Sequence, residues 1–398
     1  MMRLAVLFRR IGPYHKVRLE AAGRLGDLWC IEGTGADRTY AWNAVATGRQ
    51  FQRLTLFPTA DSDRMPRREV HRAAAIALDE SRPTVVAVPG WQDPLALAAV
   101  AWAVRSGCPI ILMSDSSESD YKRVWWKEYI KHRIVGCCSA ALVAAQPQAA
   151  YVAKLGMPSE RVFFGYDVVD NDYFAAGADS TRGDAIVLRR SLSLERSFVL
   201  SVARFIPEKN LLSAVRAYSS YVEQVGEAAW DWVLCGDGPL KQEIVYLCRQ
   251  LGVESRVRMP GFIQYDELPT YYGLAELFWQ PSVKDCFPLA VNEAMAAGLP
   301  VAISRRCGNA STFITEGYNG WTFDPLSERE MTGVLLSAHG LPGPQRKVMG
   351  RRSREIIADW GPRRFAQGLE AAVRKAMEVG PPRVTMVDRM LLGNMARC

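Results

Sequence analysis

The sequence predicts an α/β protein of two domains, each a parallel sheet covered by helices, and three observations carry that prediction. A chain of 398 residues exceeds one core of ordinary size and suits two domains of about 150 to 200 residues each. Short aliphatic and β-branched runs alternate along it with longer amphipathic stretches, the pattern of strands crossed over by helices. Hydrophobic residues make up 49% and charged residues 23%, which supplies ample core and excludes a disordered or fibrous chain.

In chain order the expected strands are LAVLF (4–8), TVVAVPG (84–90), PIILMSD (109–115), AALVAA (140–145), SFVLSVAR (197–204), WVLCGDG (232–238), VRMPGF (257–262), ELFWQPS (276–282) and PVAISR (300–305). Nine strands imply two sheets. Between 175 and 195 the apolar periodicity lapses into small, polar and charged residues, so the seam is placed there: 1–180 forms one domain and 181–380 the other. A last amphipathic segment, 362–380, ends in a Gly stop and is a candidate to pack back on the amino-terminal domain, and the tail 381–398 offers little to pack. Two such domains leave a cleft between the carboxyl ends of their strands, where loops and helix N-termini converge.

Several classes fall away on composition. No run approaches the roughly 18 apolar residues of a membrane span, and the opening MMRLAVLFRR is too short in apolar residues for a secretory signal. The chain is expected to stay in the cytoplasm, with the inner face of the membrane as the other possible site. The nine cysteines are scattered apart from Cys137-Cys138, lack metal-ligand spacing and read as buried thiols. A formal charge of +7 suits an anionic ligand or an acidic membrane surface; no nucleic-acid partner is expected.

The chemistry lies just after strands. In SVARFIPEKN (201–210), Arg204 and Lys209 flank a Pro-containing turn before a helix N-terminus, a cradle for pyrophosphate or else a pair of solvated cations. In VLCGDGPLKQEI (233–244), Gly236 and Gly238 permit a sharp bend and close approach to a ligand; a plain structural turn is the alternative. In VKDCFPLAVNEAMAAGLPV (283–301), Pro288 starts a helix and Gly298-Leu299-Pro300 stops it. Asp285 therefore lies in the loop before that helix and Glu293 within it. Apart from one another they do not form a shared-proton dyad, and each suits sugar hydroxyls, since a carboxylate accepts two hydrogen bonds from a diol.

With these motifs in series, residues 197 to 325 resemble glycosyltransferase family 4, whose signature sets two acids eight residues apart around an apolar run ending in Glu-Ala-Met-Ala-x-Gly-x-Pro-Val. RVRMPGF and EGYNGWTFDP fall in the expected order, Asp285 stands where Glu is usual, and Thr312 stands where the family often has an acid. The resemblance implies the GT-B fold, two Rossmann-like domains with the acceptor bound by the first and a nucleoside-diphosphate sugar by the second. It implies that Arg204 and Lys209 bind the donor pyrophosphate, that Glu293 holds the ribose, and that Asp285 with the backbone amides of Phe287, Leu289 and Ala290 faces sugar and phosphate. Phe262 and Ile263 would meet the base. Asp115, at a strand end, is where the family often has a His or Asp near the reacting centre, or else it caps the next segment. Gly12 would let the chain approach the donor phosphate, and His15 either faces the cleft or packs.

What the resemblance implies as activity is retaining, metal-independent transfer of a hexose from a UDP- or GDP-sugar, with no cofactor, to a saccharide, a lipid-linked saccharide or a small natural product. The alternatives are a nucleotide-sugar-binding scaffold or inactive subunit, and a sugar-nucleotide epimerase or a phosphorylase on the same fold. YKRVWWKEYIKHRIV (121–135) mixes rings and cations in the manner of an interfacial membrane helix, yet they do not separate onto opposite faces, so packing against the domain is expected. Asp61-Ser62-Asp63 is read as loop, and Asn309-Ala310-Ser311 as a glycosylation sequon on paper only.

Overall fold

The structure, a computed structural model, describes residues 2–36, 42–61, 65–120, 122–381 and 384–395. The chain forms two compact units, Met1–Val169 with Trp360–Cys398, and Asp170–Asp359. Each unit is built on one parallel sheet. In the first, β1 (Arg3–Phe8), β2 (Asp27–Ala36), β3 (Gln52–Asp61), β4 (Val85–Pro89), β5 (Ile110–Ser114), β6 (Ala140–Val143) and β7 (Val162–Phe164) lie in the order β3-β2-β1-β4-β5-β6-β7. In the second, β8 (Phe198–Val202), β9 (Asp231–Cys235), β10 (Val257–Gly261), β11 (Leu277–Gln280), β12 (Val301–Ser304) and β13 (Gly320–Phe323) lie in the order β10-β9-β8-β11-β12-β13.

The central strands are continuous apolar runs because helices cover both faces of a parallel sheet. Val85 to Val88 and Ile110 to Met113 are fully buried, as are Phe198 to Leu200. The helix Pro94–Ser106 is apolar nearly all round; Asp93 caps its start by accepting from the Leu95 N–H at 2.8 Å, and Gly107 ends it in the left-handed region.

The nine expected strands are present, and β2, β3, β7 and β13 are additional. Three of these four are edge strands, where one side lacks a partner strand among the described residues and the apolar run shortens. The seam differs from expectation: 175–195 is largely helix, Asn171–Gly183 and Ala185–Ser191, and belongs to the second unit, whose chain begins at Asp170. Its low apolar periodicity reflects exposed helices with a narrow buried stripe, Phe174, Ala178 and Thr181.

The helix Pro362–Val379 is part of the first unit. Phe365, Leu369, Ala372, Val373 and Ala376 form its buried stripe and pack with Leu4, Val6, Val85, Ile111 and Leu142 of the sheet. Gly368 permits that approach, since a Cβ there would stand 2.0 Å from the carbonyl oxygen of Phe164. The tail, expected to pack little, contains a helix, Met386–Met395, tied down where Arg133 pairs with Asp388 at 2.6 Å. No helix among the described residues is long and apolar enough to cross a membrane.

Candidate functional site

In the second sheet the winding reverses between β8 and β11, the position at which loops leaving neighbouring parallel strands diverge and open α/β sheets form their ligand crevice. Four of the expected segments leave that edge from neighbouring strands: Arg204 after β8, Gly236 after β9, Ile263 after β10 and Asp285 after β11. The topology alone brings residues more than 80 positions apart to one rim.

Lys209 closes a single 3-10 turn, Pro207–Lys209, and Asn210 then enters the left-handed region (φ +57°) and opens the helix Leu211–Val225. The Lys209 ammonium forms an ion pair with the Asp285 carboxylate across the reversal point, with 15% and 13% of the two side chains exposed. Gln280, buried at the end of β11, donates from Nε2 to Asp285 at 3.3 Å and to the Ser282 hydroxyl at 2.9 Å. The same two loops are laced through the backbone, the Val283 and Lys284 N–H groups donating to the Glu208 carbonyl at 3.0 and 3.2 Å, and the loop after β12 joins them where Gly308 N–H donates to the Asp285 carbonyl at 2.9 Å. Burial, and then the Asp285 charge, push the Cys307 thiol far up, so this sulfur stays protonated. A ligand anion approaching Lys209 therefore competes with Asp285 for the ammonium.

Glu293 lies in the helix Leu289–Ala296, 1% exposed. Tyr272 donates its hydroxyl to Glu293 Oε2 at 2.6 Å. Rings wall this carboxylate: Phe174 meets Tyr272 at 5.8 Å and Tyr265 at 5.3 Å, and Tyr265 stacks on Tyr173 at 4.9 Å. Burial, and then the Glu293 charge, push the Tyr265 phenol up. Asp285 and Glu293 thus have separate partners, Lys209 for one and Tyr272 for the other. Phe287 is buried edge-on to Phe313 at 5.8 Å, and Leu289 and Ala290, partly exposed, open the helix.

Gly236 (φ +139°) is demanded by backbone packing, since a Cβ would stand 1.9 Å from the Ala203 carbonyl oxygen, and its N–H donates to Gly261 at 2.8 Å. Gly238 sits against Phe205 in the same way, so both glycines knit the exits of β8 and β9 together. Phe262 and Ile263 follow β10, Ile263 9% exposed. Thr312 lies in the short helix Ala310–Phe313, and Asn309 is buried, donating to the Pro288 carbonyl at 3.1 Å, so the sequon asparagine serves the fold.

In the first unit the order reverses between β1 and β4. Gly12 leads into the helix Pro13–Ala22 with φ −108°, a conformation open to any residue, and a Cβ there would make only ordinary contacts at 3.6 Å or more. Its N–H donates to His15 Nδ1 at 3.1 Å. His15 packs 4.3 Å from Phe8, and burial, then the Arg18 charge, lower its pKa to about 3, so the ring is neutral. Asp115, partly exposed after β5, lies near Tyr166, whose phenol is raised by burial, then by Asp167 and Asp115. Arg18 pairs with Asp167 at 3.1 Å and donates to the Val168 carbonyl at 3.1 Å. Asp61 ends β3 instead of lying in a loop, and Ser62 and Asp63 lie outside the described residues.

Gln280, Tyr272, Arg18 and Asp167 escape a reading of the sequence. A weak signal exists for Gln280, a polar residue closing the apolar run LFWQ; for Tyr272 there is none, because its partner is 21 residues away. The described cysteines form no disulfide and are buried, except that Cys286, beside Asp285, is partly exposed.

Residues 188–355 match the family described as glycosyl transferases group 1. Over 282 residues the chain is 30% identical to the GDP-mannose-dependent alpha-(1-6)-phosphatidylinositol monomannoside mannosyltransferase of Mycobacterium tuberculosis, a match covering 68% of this chain and 71% of that protein. It is 25% identical over 253 residues to the mannosylfructose-phosphate synthase of Agrobacterium fabrum, covering 61% of this chain, and it spans about half of that relative's length, 53%. The crystal structure of Anabaena Alr3699/HepE in complex with UDP matches with a TM-score of 0.70 over 94% of this chain and 100% of that one, at 15% identity. This likeness is one of fold, two Rossmann-like units of the GT-B type.

Proposed function

Because the chain belongs to the group 1 glycosyl transferases, we propose that it moves a sugar from a nucleoside-diphosphate donor to a hydroxyl acceptor with retention of configuration and without a metal. The observation that carries this reading is the Lys209–Asp285 pair at the winding reversal of the second sheet. Diphosphate carries charge that Arg204 and Lys209 neutralise as the sugar–oxygen bond breaks, and such preorganised cations act most strongly where water is excluded. Donor phosphate draws Lys209 away from Asp285, and the released carboxylate turns to the sugar hydroxyls. The acceptor oxygen then bonds to the anomeric carbon on the face that the diphosphate leaves, and the departing phosphate takes the acceptor's proton. Glu293 grips the ribose, the amides of Phe287, Leu289 and Ala290 face phosphate and sugar, and Phe262 and Ile263 meet the base. On the first unit, Asp115 and Gly12, at the exits of β5 and β1, are the residues proposed to meet substrate.

A UDP- or GDP-sugar is favoured, since one structural neighbour holds UDP and one relative is named for GDP-mannose. A saccharide, lipid-linked saccharide or small natural product is the acceptor class, at the cytoplasmic side. The test is release of nucleoside diphosphate with and without acceptors, in the presence and absence of a chelator. Acceptor-dependent release that survives chelation, and that falls about 10²- to 10³-fold in Arg204→Ala and Lys209→Ala, is expected. A strict metal requirement or near-normal rates in both variants would overturn it. Donor binding with no turnover on any acceptor would instead favour a nucleotide-sugar-binding subunit, a reading motivated by the aspartate in place of the usual glutamate at 285.

A further inference from the structure

The helix Trp125–Gly136 was expected to bury its rings, and the structure differs: Trp125 is 81% exposed, Trp126 48% and Tyr129 53%. Only its carboxyl end, Ile134 and Val135, is buried, so the first turn carries its rings outward; Tyr121 lies outside the described residues. Around these rings the cations outnumber the acids. Lys122 and Lys127 are exposed, and the Lys127 ammonium lies 5.4 Å from the Trp126 ring centroid. The nearby acids are engaged elsewhere: Glu128 by Lys131 at 2.8 Å and by Tyr151, Glu118 by Lys154, and Asp120 by Ser117.

The same helix holds a second exposed apolar element. One face runs Trp126, Ile130, Arg133, and Arg133 pairs with Asp388 in the helix Met386–Met395. Met386 (78%), Val387 (55%) and Met390 (61%) of that helix are exposed beside the exposed Arg389. The four acids of the two segments are thus all paired or buried, leaving Lys122, Lys127 and Arg389 as surface charge among exposed Trp, Tyr and Met.

We infer that this face of the first unit docks on an anionic lipid bilayer. Indole and phenol rings combine an apolar body with a polar edge and settle at the headgroup level, and lysines beside them are drawn to anionic headgroups. A protein partner fits less well, because lysine is depleted from protein interfaces and here alternates with the rings. The +7 formal charge of the chain acts in the same sense.

The test is flotation of the full chain with vesicles of phosphatidylcholine alone or with a third phosphatidylglycerol, at low and high salt; it reads partitioning and not turnover. The wild type is expected to float with the anionic vesicles and to be released by salt. Trp125→Ala/Trp126→Ala and Lys122→Glu/Lys127→Glu should each lose about tenfold or more in partitioning, with unchanged unfolding midpoints because the substituted side chains are exposed. Absence of wild-type binding to anionic vesicles, or equal binding by both variants, overturns the inference. So does self-association without lipid that Trp125→Ala/Trp126→Ala abolishes, which would assign the face to a second copy.

Discussion

At the scale of single residues, the two acids around the Pro288 helix have different physical situations, and each answers to a different experiment. Glu293 is buried and accepts from Tyr272, so Glu293→Ala removes the acceptor of a buried hydroxyl and should cost about 1–3 kcal/mol. Glu293→Gln keeps an oxygen there and should lose less than about 1 kcal/mol; denaturant midpoints separate the two, and the glutamine variant is the one in which donor affinity is read cleanly. His15 offers a pH test. Its folded pKa, about 3, lies below the unfolded value of 6.5, so the unfolded chain takes up a proton that the folded chain refuses. Its contribution is whole above pH 6.5 and is lost as pH falls toward 3, with a slope of at most about 1.4 kcal/mol per pH unit. His15→Gln should flatten the melting temperature against pH in that window, and parallel curves would contradict the assignment. Residue identities at strand ends were legible in the sequence because glycine, proline and charge punctuate the exits of apolar runs. Their partners were not: Lys209 meets Asp285 across 76 positions.

At the scale of elements, the apolar strands declared themselves and the edge strands did not. β3 carries Pro58 and a mixed pattern, β7 is only three half-buried residues, and β13 begins with a glycine. β2 is hidden by Glu32, which is fully buried yet pairs with Arg53 at 2.6 Å, so a residue that reads as surface lies in the core. The turns at the strand exits are the stiff elements. Gly236→Ala forces a Cβ against the Ala203 carbonyl from a positive φ and should cost more than about 2 kcal/mol, read as a lowered unfolding midpoint. A change within about 0.5 kcal/mol would mean that the β8 and β9 exits move apart freely.

At the scale of the whole molecule, the first unit is discontinuous in sequence, completed by a helix from beyond the second. Burial of Phe365, Leu369 and Val373 contributes on the order of 5–9 kcal/mol, comparable with the whole stability of a domain. A chain ending at Asp359 should therefore lose the first unit's cooperative transition, as followed by calorimetry, and retention of two native transitions would show that the helix is dispensable. The sequence by itself determined the α/β class, the two sheets, the helix from Pro362 and the row of functional candidates at strand ends. Those follow from local burial patterns, and apolar periodicity is written residue by residue. Only the tertiary structure decided which unit owns residues 360–398, which partner each acid takes, and that Trp125, Trp126 and Tyr129 face outward. An amphipathic stripe fits any apolar face equally well, and a ring or a charge acquires its partner only when distant segments are brought together.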